Sequence, residues 1–268
     1  MTESGAAGPP SSGPTRRTRQ ELRALLLDAG IDVLRQDGLG TGVEQLTFKR
    51  VFGRVAATTG VRVTNASVIG RIWENQADFQ SAVLAEVAAE AVAGQDDVVL
   101  EATAAFAATA DRSTPDARRA ALREIMRLAA EANLTTGTTS RTWATVLGVW
   151  ALVSGSRGSS ATDPIYGAMR DGYEVTEARA AALTGAMMAH LGLRLRSPFD
   201  ARQFAAALTA LVEGCALRDR AEAGIRGIEL PTGPGGAPQA WTVLGVGMDA
   251  LADQFFELDP DWSLDGAP

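Results

Sequence analysis

Residues 47–79 decide the fold, a stretch that opens Thr47-Phe48-Lys49-Arg50-Val51-Phe52, passes Val55-Ala56 and Gly60-Val61, and ends at Trp73 and Phe79. Phe48, Val51, Phe52, Val55 and Ala56 recur at helical spacing and share one face of a short helix, with Thr47 standing where an N-cap belongs. Thr58, Thr59 and Gly60 interrupt that helix, because glycine tolerates the left-handed backbone of a sharp turn. Beyond the turn, Val68, Ile69, Ile72 and Trp73 make a second apolar stripe, while Asn65, Ser67, Gly70 and Arg71 fall largely elsewhere. Two short amphipathic helices need a third to cover them. Upstream, Leu22, Leu25, Leu26, Ala29, Val33 and Leu34 form the apolar face of a helix that Asp37-Gly38 closes. This order predicts a helix-turn-helix, the motif whose second helix enters the DNA major groove.

The rest of the chain reads as more helix. Its 268 residues are 46% hydrophobic and 21% charged, a globular rather than a disordered composition. Apolar residues repeat at three and four almost throughout, which predicts an all-α protein. Further helices are expected near 77–93, 97–110, 114–133, 139–155, 163–193, 200–226 and 239–258, with loops at 154–162 and 228–238. Pro115, Pro164 and Pro198 stand at helix starts or connectors, where a missing N–H costs nothing. The expected organisation is a disordered Gly/Pro/Ser tail at 1–14, a helix-turn-helix domain at 15–75, a larger helical regulatory and dimerisation domain at 76–258, and a frayed C-terminal tail at 259–268.

A net charge of −7 hides an asymmetry: residues 15–80 hold 10 Lys and Arg against 7 Asp and Glu, a balance of +3, while the remainder holds 15 against 25, a balance of −10. A less acidic front on an acidic body suits a protein that presents one end to phosphates. One cysteine, Cys215, excludes an internal disulfide and fits a reducing compartment. With one histidine, His190, it leaves no Cys/His cluster for zinc. No apolar run approaches the ~20 residues that span a bilayer, and no hydrophobic signal core opens the chain, so a cytoplasmic protein is expected. His190 reads as an ordinary helix histidine and Cys215 as a small buried thiol. The Ser/Gly segment at 154–160 has no lysine and no preceding strand, so it is not a phosphate loop. The expectation is no enzyme and no cofactor.

The order of basic arm, a helix ending Asp37-Gly38, a second helix ending Val55-Ala56 before Gly60-Val61, then Trp73 and Phe79 resembles the N-terminal domain of the tetracycline-repressor (TetR) family. The resemblance covers about residues 16–95 by motif, and the rest only by being helical. The chain departs from the family pattern in four places. The run from Gly60 to Trp73 is about three residues longer than usual, and the connector at 38–46 is also long. Ile69 or Gly70 stands where the family has a phosphate-contacting Tyr, and Gln76 where it often has Lys.

With Thr64 or Asn65 capping the third helix, the expected base readers are Arg62, Thr64, Asn65, Ser67 and Arg71, since Arg bonds a guanine edge and Asn an adenine edge bidentately. Thr47, Lys49 and Arg50 are placed for phosphates, and Arg16 and Arg17 for phosphates or a minor groove. Met126, Trp143, Trp150, Met169, Tyr173 and Met187 mix pliable thioethers with rings bearing a polar handle, which suits an apolar small molecule between helices as well as it suits ordinary core. In the last two long helices, Phe204, Leu208, Leu211 and Cys215, then Trp241, Leu244, Met248, Leu251 and Phe255, form heptad-like seams. Such seams can face this chain's own core. The resemblance instead implies a homodimer built on them and an effector that moves the reading heads. The expected function is a regulator, a repressor, that reads a palindromic site on double-stranded DNA as a dimer. The rival expectation is a helical ligand-binding or interaction protein that has lost DNA binding.

Overall fold

Capping side chains fix where several helices begin. Backbone N–H groups donate to Thr47 Oγ1 from Arg50 at 3.3 Å, to Thr114 Oγ1 from Ala117 at 3.1 Å, to Asp200 Oδ1 from Gln203 at 2.8 Å and to Thr242 Oγ1 from Gly245 at 3.0 Å. Each satisfies a donor that a helix start leaves without an intrahelical partner. The computed structural model describes residues 17–37, 43–90, 96–154, 163–232 and 236–264. Its elements run α1 (Arg19–Asp37), a single 3-10 turn (Val43–Gln45), α2 (Phe48–Thr59), α3 (Asn65–Val68), α4 (Gln76–Glu90), α5 (Asp96–Thr109), α6 (Pro115–Thr139), α7 (Arg141–Ser154) and α8 (Asp163–His190). They continue with β1 (Leu193–Leu195), α9 (Ala201–Arg220), β2 (Ile228–Pro231), β3 (Pro238–Trp241), α10 (Val243–Phe255) and β4 (Phe256–Leu258). The protein is all-α, and among the described residues its strands form two antiparallel pairs, β1 with β4 and β2 with β3.

Two apolar cores organise the helices. The first gathers Leu26, Leu34, Leu46, Phe48, Val51, Val55, Val68, Trp73, Phe79 and Val83 from α1–α4 and the segments between them. Its centre is Phe79, whose ring stacks on Phe48 at 5.0 Å and meets Trp73 edge-on at 4.9 Å. Val149 and Val153 of α7 and Ile165 and Met169 of α8 belong to this same core. The boundary expected at 75–76 is therefore not where the packing divides, because α4 closes the front core as well as leading into the body. Gln80 on α4 ties down the segment before α2, donating to the carbonyls of Val43 and Leu46, both at 3.0 Å. The second core lies among α6, α9, α10 and the end of α8, with Ile125, Ala130, Met188, Leu191, Phe204, Leu244 and Met248 inside it.

Four features differ from the sequence expectation. Within 228–238, expected as loop, Ile228–Pro231 forms β2 and pairs with β3, which Pro238 begins, with Ile228 opposite Trp241. Trp241 consequently ends a strand and precedes α10, its indole N–H donating to Leu230 O at 3.1 Å, because the Thr242 cap starts the helix after it. The helix expected to reach 193 stops at His190, and the next residues form β1 against β4. Residues 259–264 are held rather than frayed: Trp262 lies under the Arg118 guanidinium at 4.6 Å, and Arg118 donates to Gly192 O at 3.3 Å. The expected tail at 1–14, Arg16, Gly38 and the loop residues 155–162 lie outside the described residues. No described helix is long and apolar enough to cross a membrane.

Candidate functional site

The α2–α3 segment builds an exposed polar ridge. Gly60 holds φ 71° and its N–H caps Ala56 O at 3.0 Å, so the chain leaves α2 through the left-handed turn expected of that glycine. The chain then runs extended to Thr64 and enters α3, where Val68 is fully buried and Thr64 and Asn65 stay exposed. An open groove runs along each side of α3. One is lined by Arg17, Arg19, Arg62, Ser67 and Arg71, the other by Thr47, Lys49, Asn65 and Asn75. Seven of the expected contact residues, Arg17, Thr47, Lys49, Arg62, Asn65, Ser67 and Arg71, thus lie along the two flanks of one short helix, whereas Arg50 and Thr64 line neither groove. Lys49, Arg62 and Arg71 are exposed and have no hydrogen-bond or ion-pair partner among the described residues.

Two of the expected contacts, Ser67 and Arg50, are compromised, and the helix that carries the base readers is short. The third helix is one turn, Asn65–Val68, because Gly70 at φ 70° turns the chain and donates to Trp73 O at 2.8 Å. Ser67 is committed to the cap of that turn, its hydroxyl donating to Thr64 O at 2.6 Å, and so offers no free donor to a base. Arg50 is held back by Asp37 and by Gln45, to whose Oε1 it donates at 2.9 Å. At the position where the resembled family has Lys, Gln76 Oε1 instead accepts the Phe48 N–H at 3.4 Å, a second cap for α2.

Deeper in the body, two adjoining cavities of about 170 and 60 Å3 are lined chiefly from α6–α9, with Thr103 of α5, Met248 of α10 and Ala88 of α4 at their margins. Met126, Trp143 and Met187 line the larger, and Trp143, Trp150, Met169 and Tyr173 the smaller, so all six expected pocket residues reach one site. Trp143, Thr176, Thr209 and Glu213 border both. Across this boundary a directed chain of hydrogen bonds runs from the Trp150 indole N–H to Tyr173 Oη at 2.9 Å, and from Tyr173 O–H to Glu213 Oε1 at 2.5 Å. Burial pushes the Glu213 carboxyl above its ordinary pKa, with the Tyr173 hydrogen bond opposing it, and burial chiefly pushes the Tyr173 phenol up as well. Sequence reasoning missed Glu213. The available signal is that it is the only charged residue between Arg202 and Arg218 on an otherwise apolar helix.

The seam residues face inward. Phe204, Cys215, Trp241, Leu244, Met248 and Phe255 are buried within one chain, and Phe204, Leu208 and Met248 line the larger cavity. Leu211 and Leu251 are half-buried and pack against the same core. Most positions of the heptad pattern therefore face the protein's own core. Burial raises the Cys215 thiol pKa, and His190 sits with its Nδ1 3.0 Å from Arg112, which also donates to His190 O at 3.0 Å. Among the described residues no three His, Cys, Asp or Glu side chains group to hold a metal ion.

Compared with known proteins, the chain matches no protein-family model, and no curated protein is significantly similar to it.

Proposed function

We propose that this protein is a DNA-binding transcriptional regulator of the tetracycline-repressor kind, a repressor whose grip on DNA is released by a small molecule in the paired cavities. The observation that carries the reading is the α3 ridge between two grooves, with Arg17, Arg62 and Arg71 on one flank and Lys49 on the other. A ridge narrow enough to meet base edges, with cations where two phosphate strands would lie, suits major-groove binding. The cavities are joined to that ridge by packing: α7 and α8 line them and also enter the front core against α4. A ligand that prefers one arrangement of α7 and α8 would shift the head through α4.

A dimer is part of this proposal, on a different face from the buried seams. Phe255, ending α10, meets Phe204, near the start of α9, at 5.4 Å, so the two helices run antiparallel. Ala210, Gly214 and Leu217 on α9, and Val243, Val246 and Ala250 on α10, are exposed and fall on the same side of that pair. Two copies apposed there would form a four-helix contact and present two heads to a palindrome. Val246→Asp would then yield monomers by light scattering, whereas an unchanged mass would remove this face.

The test of DNA reading is fluorescence anisotropy with duplexes from the region flanking the coding sequence against random duplexes. Arg62→Ala or Asn65→Ala should lower specific affinity by about 1–3 kcal/mol for a lost bidentate contact, and Lys49→Ala should flatten the salt dependence. Equal losses on specific and random DNA would remove the base-reading assignment. The second reading, a ligand-binding protein without DNA contacts, draws on the single-turn α3 and the tethered Arg50. Ligand binding with no affinity for any duplex would favour it.

A further inference from the structure

We infer that the paired cavities take a compact lipophilic cation, an aromatic or alkyl group bearing an ammonium charge, with the charge set against Glu213. This rests on the effector-pocket reading above and deepens it. Among the described residues, Glu213 is the only charged side chain bordering either cavity. Its Oε1 accepts from Tyr173, while Oε2 has no hydrogen-bond or ion-pair partner among the described residues and is not walled in. A buried carboxylate without a cation is costly. That cost falls either by protonation, the direction in which burial already pushes it, or by a positive ligand.

The surroundings select what such a ligand looks like. The rings of Trp143, Trp150 and Tyr173 line the smaller cavity together with the carboxylate, and aromatic rings attract ammonium groups, most strongly once desolvated. Tyr173 cannot serve as a free donor to an anion, because its hydroxyl already donates to Glu213 and accepts from Trp150. An anionic ligand would face the carboxylate with no neighbouring cation to offset it. Met126, Met187 and Met248 supply an adaptable apolar wall for the remainder. An apolar cavity of about 150 Å3 holds a benzene-sized ring, so the larger cavity, at about 170 Å3, accepts one ring and leaves the boundary at Glu213 for the ammonium.

The experiment is isothermal titration of the full chain with three shape-matched probes: benzyltrimethylammonium, its neutral isostere neopentylbenzene, and the anion 4-tert-butylbenzoate. The expected result is at least tenfold tighter binding of the cation than of the neutral probe, with no binding of the anion. Glu213→Gln should erase that preference and leave neopentylbenzene affinity unchanged, which also shows that the variant cavity is intact. Trp150→Phe, which keeps a ring but removes the donor to Tyr173, should retain the preference. Equal binding of cation and neutral probe, or a preference that survives Glu213→Gln, overturns the proposal while leaving an apolar effector pocket standing. Binding of none of the three overturns both the proposal and the pocket. If the cation binds as expected and does not weaken binding to the specific duplex, the ligand class stands and the regulator reading falls.

Discussion

Around Phe79 three rings meet at 4.9–5.0 Å and no buried polar residue enters from α1–α4, whereas around Trp143 the helices stand apart, leaving cavities of about 170 and 60 Å3 with a carboxylate between them. One chain thus contains two kinds of interior. The front is packed to hold one geometry, since a close-packed core transmits strain instead of absorbing it. The body leaves contacts unmade, and unmade contacts are where a ligand can add stability and where helices can shift at small cost. The proposed regulator, sensing in one place and acting in another, needs this division, with α7 and α8 running through both.

The largest expected effect tests the front. Phe79→Ala removes a fully buried ring from between Phe48 and Trp73, and should cost about 3–5 kcal/mol by urea denaturation. A cost under about 1 kcal/mol would mean the front is as loosely packed as the body. Gly60→Ala sharpens the same point at the turn. A Cβ there meets nothing within 4 Å, so only the left-handed φ of 71° opposes it, for about 1–2 kcal/mol. The body should respond more softly to deletion of apolar atoms. Leu208→Ala truncates a half-buried side chain that already faces open cavity, and about 1–2 kcal/mol is expected, clearly below the Phe79 value. A Leu208 loss equal to that at Phe79 would show that the cavity wall is packed tightly after all.

The same contrast explains what could be read from sequence. In the front the local signals agree: Thr47 caps α2, Gly60 ends it, and Val51, Val55, Val68 and Phe79 all point inward. Local consistency made that region legible down to single residues, except for the length of α3, which Gly70 cuts short. Ile69, 41% exposed, shows how the apolar pattern misled there: helical spacing predicts a stripe, but the turn at Gly70 swings the residue outward. In the body, periodicity reveals that a helix has an apolar face and not what that face meets. The seam of Phe204, Leu208, Met248 and Phe255 could belong to a partner or to this chain's own core, and only packing decides. The β2–β3 hairpin was invisible because its strands are four residues each and carry Pro231 and Pro238 at their ends. Glu213 was missed because a lone acid on a helix is usually solvated, and its placement between the cavities depends on three other helices.

The smallest effect discriminates most sharply between the two interiors. Glu213→Gln keeps an acceptor for the Tyr173 hydroxyl but removes the charge. Burial raises the folded-state pKa of Glu213 above its unfolded value. The folded protein therefore keeps a proton that the unfolded chain releases first. Its stabilising contribution is complete below the ordinary carboxylate range and is lost as pH rises through the raised value. At pH 8 the wild type must hold an ionised carboxylate with no cation beside it, so the variant should be more stable, on the order of 1 kcal/mol. As pH falls into the ordinary carboxylate range the advantage should shrink, because the wild type neutralises itself. Paired urea denaturations at pH 8 and in that range measure this directly. A gap independent of pH would mean that the carboxylate is well solvated and the body interior no different in kind from a surface. A variant less stable at pH 8 would mean that a cation already faces Glu213. With the expected sign, the body interior carries a destabilising charge that a packed front of the Phe79 kind would never contain, and relief of that charge is free energy that the proposed effector could use to move α7 and α8.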